Sequence, residues 1–282
     1  MTPATISPAP RLAAPRRSSL RWLIADVAVL ARRVLARIAR EPETLMDVTI
    51  QPLLFVLLFA YVFGGAIPLP GGGNYHEYLI GGMLAMGLAM TAPGTAVALV
   101  TDMSTGLIDR FRSLPMSRSA VLLGRTTADL LTQVIGALVV AVAGLAIGWR
   151  IHNGPVDALA AFGLALLFGY AFTWAGVCLG MMLRSVEAAQ QLGFILFIPL
   201  TFISNAFVPT QGMPAWLQVV ADWNPFSAVA AACRRLFGNP DPSALVQAWP
   251  MQHPELATLL WSGLALVVFV PLAVRMYANK QC

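Results

Sequence analysis

"ALAAFGLALLFGYAFTWAGVCLGMML", residues 158–183, carries no charged side chain and shows no strict alternation of apolar and polar positions. A run of about 20 apolar residues is long enough to cross the hydrocarbon of a bilayer. Five further stretches pass the same test, at 48–67, 78–101, 128–149, 190–209 and 256–274, and of these only the third holds a charge, Asp129. Within lipid the backbone must satisfy its own polar groups, and these runs are too long and continuous for barrel strands. The sequence therefore predicts an all-α integral membrane protein with six transmembrane helices, making one domain over 48–277.

Composition agrees. The 282 residues are 58% hydrophobic and 11% charged, with a mean hydropathy of +0.72. That is too apolar for a single water-soluble core. The formal charge of +5 comes almost wholly from arginine, Lys280 being the single lysine. Basic residues flanking apolar spans read as orientation signals and anchors to anionic lipid rather than as a nucleic-acid surface. Arg11, Arg16, Arg17, Arg21, Arg32, Arg33, Arg37 and Arg40 precede the first span, and Arg110, Arg112, Arg118 and Arg125 lie between the second and third. Arg184, Arg275 and Lys280 fall on the same side by parity, against Arg150, Arg234 and Arg235 on the other. Both termini are thus expected in the cytoplasm of a multi-pass protein of the plasma (inner) membrane.

Residues 1–19, rich in Pro, Ala, Ser and Arg, read as a disordered cytoplasmic tail. Residues 20–41 place Leu20, Leu23, Ile24, Val27, Leu30, Val34, Leu35 and Ile38 at three-four spacing among arginines, an amphipathic interfacial helix ended near Pro42. The outer segment 210–255 is too apolar for an ordinary loop. Pro214 can begin one short helix there, and Asn224 followed by Pro225 caps a second that ends near Gly238. Two short re-entrant helices between spans five and six, dipping into the outer leaflet with Trp216, Trp223 and Trp249 at the interface, are expected.

Several chemistries are excluded. A phosphate-binding loop needs a lysine after glycine and before Ser or Thr, and Lys280 stands between Asn279 and Gln281. Cys178, Cys233 and Cys282 lack metal-ligand spacing. His76, His152 and His253 lie in separate segments and read as solvated loop residues. Asp129 offers slight support for an ion-coupled carrier; the simpler reading is an acid near a helix N-terminus. Gly144 with Gly148, and Gly176 with Gly180, have the spacing of close helix contacts.

The polar stretch "GLIDRFRSLPMSRSAVLLGRTTADLL", Gly106 to Leu131, interrupts the apolar pattern. Gly106 and Gly124 permit turns, Pro115 breaks a helix, and Leu107, Ile108, Phe111 and Leu114 form an apolar ridge beside Asp109, Arg110 and Arg112. Such a ridge can seat in a cleft on a soluble partner, or its arginines can grip lipid headgroups; spacing leaves both open. This stretch resembles the characteristic loop of daunorubicin-resistance-type permeases, membrane subunits of ATP-binding-cassette exporters of the second type. The matching residues are Gly106, Asp109, Arg110, Phe111, Arg112, Leu114, Pro115, Ser117, Gly124 and Arg125. "NAFVP" at 205–209, "MPAWLQ" at 213–218, "NPFSAV" at 224–229 and Arg234 are similar to that family's outer segment.

The resemblance implies a permease that pairs with itself or a paralogue and binds two copies of a cytoplasmic ATPase. That partner would use ATP and Mg, this chain binding no cofactor of its own. It implies an ATPase-coupling loop, 102–127, formed by Gly106, Asp109, Arg110, Phe111, Arg112, Leu114, Pro115, Arg118, Gly124 and Arg125. It also implies an outer re-entrant segment marked by Pro209, Pro214, Asn224, Pro225 and Arg234. Met83, Met86, Met90, Asn205 and Phe207 are candidates for a pathway suited to hydrophobic drugs, lipids or glycolipids. The alternative is an ion-coupled drug carrier acting alone.

Overall fold

The computed structural model describes residues 46–104 and 118–279, and every regular element among them is helical. The tail 1–19, the interfacial helix 20–41 and Gly106 to Pro115 lie outside the described residues. Helix α1, Gln51–Leu58, is continued at both ends by π-helical turns, Met46–Ile50 and Phe59–Phe63. Helices α2, Tyr75–Ala89, and α3, Thr91–Ser104, form one apolar rod broken at Met90. The break falls within the span expected over 78–101, which the structure extends to Tyr75–Ser104. Pro93 explains it, because its ring would collide with the carbonyl four residues back, that of Ala89. The Thr91 hydroxyl instead donates to Leu88 O at 2.7 Å.

Helix α4, Arg118–Ala146, begins ten residues before the expected apolar run. Gly124 is therefore inside a helix, not at a turn, and Asp129 sits about three turns from the helix start rather than in its first turn. The loop expected over 102–127 is correspondingly shorter, since α3 continues to Ser104 and α4 occupies its second half. Helices α5, Pro155–Met182, α6, Val186–Phe202, and α10, Pro254–Asn279, supply the remaining long elements. Between α6 and α10 come a 3-10 turn at Thr210–Gly212, α7 at Ala215–Asp222, α8 at Pro225–Phe237, a 3-10 turn at Pro242–Leu245 and α9 at Trp249–Gln252.

Among the described residues four helical stretches are long and apolar enough to cross a membrane: Tyr75–Ser104, Arg125–Ala146, Pro155–Met182 and Pro254–Tyr277. Gln51–Phe63 and Val186–Phe202 are apolar but shorter. Helix α6 is short because the chain turns at Ser204, where the Asn224 amide donates to the carbonyls of Leu200 and Ile203, both at 2.6 Å.

Helix α5 stands at the centre, packed by α3, α10, α8, α2 and α4. Glycines set the closest approach. A Cβ at Gly176 would stand 2.2 Å from Ala92 O, and one at Gly180 would stand 2.8 Å from Ala96 O, so this pair is the close contact its spacing suggested. Gly148 serves differently: its φ of +104° turns the chain after α4. The main core gathers Tyr78, Leu79, Trp149, Phe168, Phe226 and Phe237. A smaller cluster at the Ser104–Arg118 end holds Leu99, Leu122, Trp174, Met181 and Tyr277. Large apolar side chains remain exposed on α1 (Leu54, Leu58), α6 (Phe194, Ile195) and α10 (Leu260, Val267), as a lipid-facing surface requires.

Candidate functional site

The two ends of the helix bundle carry different polar constellations. At the end where α3 stops and α4 starts, Arg125 bridges the two helices. Its Nη1 lies 3.4 Å from Asp102 Oδ2 on α3, and its Nε lies 3.4 Å from Asp129 Oδ1, one turn further along α4. Asp129 Oδ2 accepts a 2.9 Å hydrogen bond from Thr95 Oγ1, returning the chain of contacts to α3. The network clasps the two helices that flank residues 105–117. Leu122 and Thr126, one turn apart and both buried, show why a stretch with loop-like polarity folds as helix: one face of it packs. Of the residues expected to act here, Arg118 opens α4 and Gly124 lies within it, while Gly106, Asp109, Arg110, Phe111, Arg112, Leu114 and Pro115 are outside the described residues.

The opposite end is built on α8. Asn224 caps this helix, its Oδ1 accepting from Phe226 N–H at 2.9 Å, Pro225 occupies the first turn, and Gly238 closes it at φ +73°. All three positions are as expected from sequence. The setting differs from expectation, however: α8 is enclosed by α2, α5 and α10, and almost its whole length is buried by protein rather than lipid. Helix α7 is the exposed member, presenting Trp216, Val219, Val220 and Trp223. Pro214 stands at its N-cap, and Pro209 precedes the 3-10 turn.

Arg234, in the last turn of α8, is 0% exposed. Its Nε donates to Tyr78 O at 2.8 Å, Nη1 to Asn205 Oδ1 at 3.2 Å, and Nη2 to the carbonyls of Asn205 at 2.8 Å and Ala206 at 2.9 Å. Its guanidinium carbon lies 3.5 Å from the centre of the Tyr78 ring, a cation–π contact in a desolvated site. Neighbouring Arg235 reaches the carbonyls of Met251 and Gln252, and lies 3.7 Å from Asp241 and 3.9 Å from Glu255. Trp149 Nε1 donates to Asn239 Oδ1 at 2.7 Å, and His152 Nε2 lies 2.8 Å from Glu77 Oε1, so His152 has a partner that its loop position did not suggest. Burial pushes the Asp222 carboxyl upward, a hydrogen bond from Thr210 Oγ1 at 2.8 Å opposing the shift.

Met83, Asn205 and Phe207 are buried in the chain's own core, and Met86 and Met90 are partly buried against it. Midway along the bundle, Gln133 Nε2 donates to Thr91 Oγ1 at 2.7 Å and to Thr173 Oγ1 at 2.9 Å, joining α3, α4 and α5 beside the break at Met90. Sequence reading passed over Gln133 and Tyr78. The adjacent pair Gly81-Gly82 was the available signal for Tyr78, because paired glycines within an apolar helix mark close approach. Among the described residues no group of three or more His, Cys, Asp or Glu could hold a metal, and Cys178 and Cys233 are both free.

Comparison with known proteins places these features in company. Residues 25–237 match the family described as ABC-2 type transporter. The chain is 32% identical over 240 residues to the daunorubicin resistance ABC transporter permease protein DrrB1 of Streptomyces coeruleorubidus, covering 85% of this chain and 81% of that one. It is 27% identical over 254 residues to the doxorubicin resistance ABC transporter permease protein DrrB of Mycobacterium tuberculosis, covering 87% and 86% respectively.

Proposed function

Because the chain belongs to the ABC-2 type transporter family, we propose that it is the membrane-spanning permease subunit of an exporter driven by ATP that a separate cytoplasmic subunit hydrolyses with Mg. The observation that carries this reading is the clasp of Arg125 with Asp102 and Asp129, which ties the end of α3 to α4 about two to three turns from the start of α4. A push on residues 105–117 reaches α3 and α4 together, because the two helices that flank it are tied to each other. The expected ridge of Phe111 and Leu114, rimmed by Asp109, Arg110 and Arg112, seats in the ATPase, and Gly106 and Pro115 bound it. Arg118 and Gly124 lie on the helix that receives the motion.

In this reading six helices cross, α1 and α6 being the two short ones, and both termini are cytoplasmic in the plasma membrane. Residues 20–41 lie on the inner membrane face as the second surface the ATPase presses. Two permease copies, or this chain and a paralogue, bind two ATPase subunits, and closure of the ATPases switches the pathway between permeases from inward to outward access. The cargo is a hydrophobic drug, lipid or glycolipid, in keeping with the drug resistance for which the relatives are named. Met86 and Met90, being partly exposed, are the members of the predicted set open to cargo, whereas Met83, Asn205 and Phe207 shape the path from within. Proline-capped α7, with Trp216 and Trp223, rests in the outer leaflet.

Charge reversal at Arg110 and Arg112 tests the reading. Arg110→Glu with Arg112→Glu should lower co-purification of the ATPase by about tenfold or more, the scale on which unpaired charges at an interface act, while membrane insertion is unchanged. Undiminished co-purification returns the loop to gripping lipid headgroups. Efflux that persists with an inactivated ATPase and collapses with the proton gradient favours the lone ion-coupled carrier.

A further inference from the structure

A buried arginine ordinarily has a carboxylate beside it. Arg234 has none within ion-pair distance among the described residues; its donors go to Tyr78 O, Asn205 Oδ1, Asn205 O and Ala206 O. Such a charge is tolerated without a counter-ion only where its planar fork of donors is filled by well-placed acceptors. Here the fork joins two things distant in sequence: the turn after α6 and the first turn of α2.

The same seam is closed by other contacts. Tyr78 Oη also donates to Asn205 O, Tyr75 Oη donates to Phe207 O at 3.0 Å, and Asn205 N–H donates to Ser227 Oγ of α8 at 2.9 Å. The approach is close at both glycines: a Cβ at Gly82 would stand 1.8 Å from Ala206 O, and one at Gly81 would stand 2.8 Å from Arg234 Cγ and 2.9 Å from Ala230 O. A joint packed backbone to backbone has discrete arrangements and no sliding freedom. We propose that Arg234 is a positioning residue that keeps the Asn205–Phe207 turn docked on α2 throughout the transport cycle, so that turn, α2 and α8 move as one body. This rests on the permease reading above. It means that the exit is not opened by the turn lifting off α2; the body moves whole, and α7, exposed at Trp216, Val219 and Val220, is left as the part free to shift against it.

Cysteine accessibility in the complex with the ATPase decides the matter. In a chain whose own three cysteines are replaced by alanine, Ser204→Cys and Ser227→Cys place thiols at buried points of the seam with little change of volume. A membrane-impermeant maleimide should leave both unlabelled, without nucleotide and during ATP hydrolysis. Arg234→Lys, which keeps the charge but loses the fork, should speed labelling of either thiol by about tenfold or more, the change in open population expected from losing a charge-assisted hydrogen bond. Ser262→Cys, buried on α10 and making none of the seam's hydrogen bonds, should stay unlabelled in both backgrounds. If Arg234→Lys does not reach the membrane, Tyr78→Phe, which removes one donor from the same Asn205 carbonyl, is read in its place. ATP-dependent labelling of the unmodified seam overturns the proposal. So does an Arg234→Lys seam that stays closed, or a Ser262→Cys thiol that opens with it, since that is general loosening. A chain that retains no ATPase sinks the permease reading and takes this proposal with it, whereas seam labelling in an intact, hydrolysing complex sinks the positioning role alone.

Discussion

Arg125 and Arg234 are alike in type and opposite in situation. Arg125 is partly exposed, with carboxylates at 3.4 Å, a geometry worth roughly 0–1 kcal/mol for each pair. Its value lies in what it connects rather than in stability. Arg234 is fully buried on neutral acceptors, and removing it takes the donor from Asn205 Oδ1 and Ala206 O at about 1–3 kcal/mol each, whereas Asn205 O keeps the Tyr78 hydroxyl. A third titratable residue, Asp222, is perturbed chiefly by burial. Its carboxyl is raised above the ordinary range, against the hydrogen bond from Thr210. A raised native value means the folded chain holds more protons than the unfolded one in the window between the two values. The stability this gives is full below the ordinary carboxylate value and is lost as pH rises through the raised one. Thermal unfolding of the detergent-solubilised chain from about pH 4 to about pH 7 should therefore show a decline that Asp222→Asn, which retains an acceptor for Thr210, flattens. Parallel curves for the two proteins would show that Asp222 is not held in its neutral form.

At the scale of elements, the crossing of α3 and α5 is controlled by small residues. Gly176 faces Ala92 O with no room for a side chain, while Gly163, on the same helix, has nothing within 4 Å of its would-be Cβ. Replacing an exposed helical glycine by alanine gains up to about 1 kcal/mol through propensity, so Gly163→Ala should raise the unfolding midpoint. Gly176→Ala gains the same propensity but must push α3 away, at about 1–3 kcal/mol for overpacking, and should lower it. Equal shifts at the two sites would show that the helices are not in contact there. Much of this scale was legible in the sequence. Both ends of α8 follow from Asn224-Pro225 and Gly238, whose backbone roles are local. The start of α4 was not legible, because residues 118–127 are polar and carry Gly124, and only tertiary burial of Leu122 and Thr126 makes them helical. Pro93 marked the break between α2 and α3, yet an apolar run hides a kink from any reading by hydropathy. Arg234 was read as an outer-side charge because charge counting sees the residue type and not the fork of carbonyls that a distant turn brings to it.

For the whole molecule the open quantity is the number of crossings, and α1 and α6 decide it. Helix α6 has 17 residues, about 26 Å at 1.5 Å per residue, just under a hydrocarbon core of about 30 Å. The helical path from Met46 to Phe63 reaches at most about 27 Å, since its π-turns rise less per residue than an α-helix. Length alone does not decide whether these two cross, and the placement of the arginines favours six crossings. With only the four long helices crossing and the N-terminus inside, residues 105–117 with Arg110 and Arg112, and the α5–α6 link with Arg184, would fall outside. That inverts the preference of short loops for basic residues on the cytoplasmic side. With α1 and α6 also crossing, both segments return inside, and Lys280 is inside in either case. A reporter fused after Lys280 therefore checks parity, and one fused after Arg184 checks the count. Both should report the cytoplasm. An external signal at Arg184 with an internal one at Lys280 would leave four crossings, put the 105–117 segment beyond reach of a cytoplasmic ATPase, and remove the basis for coupling through it.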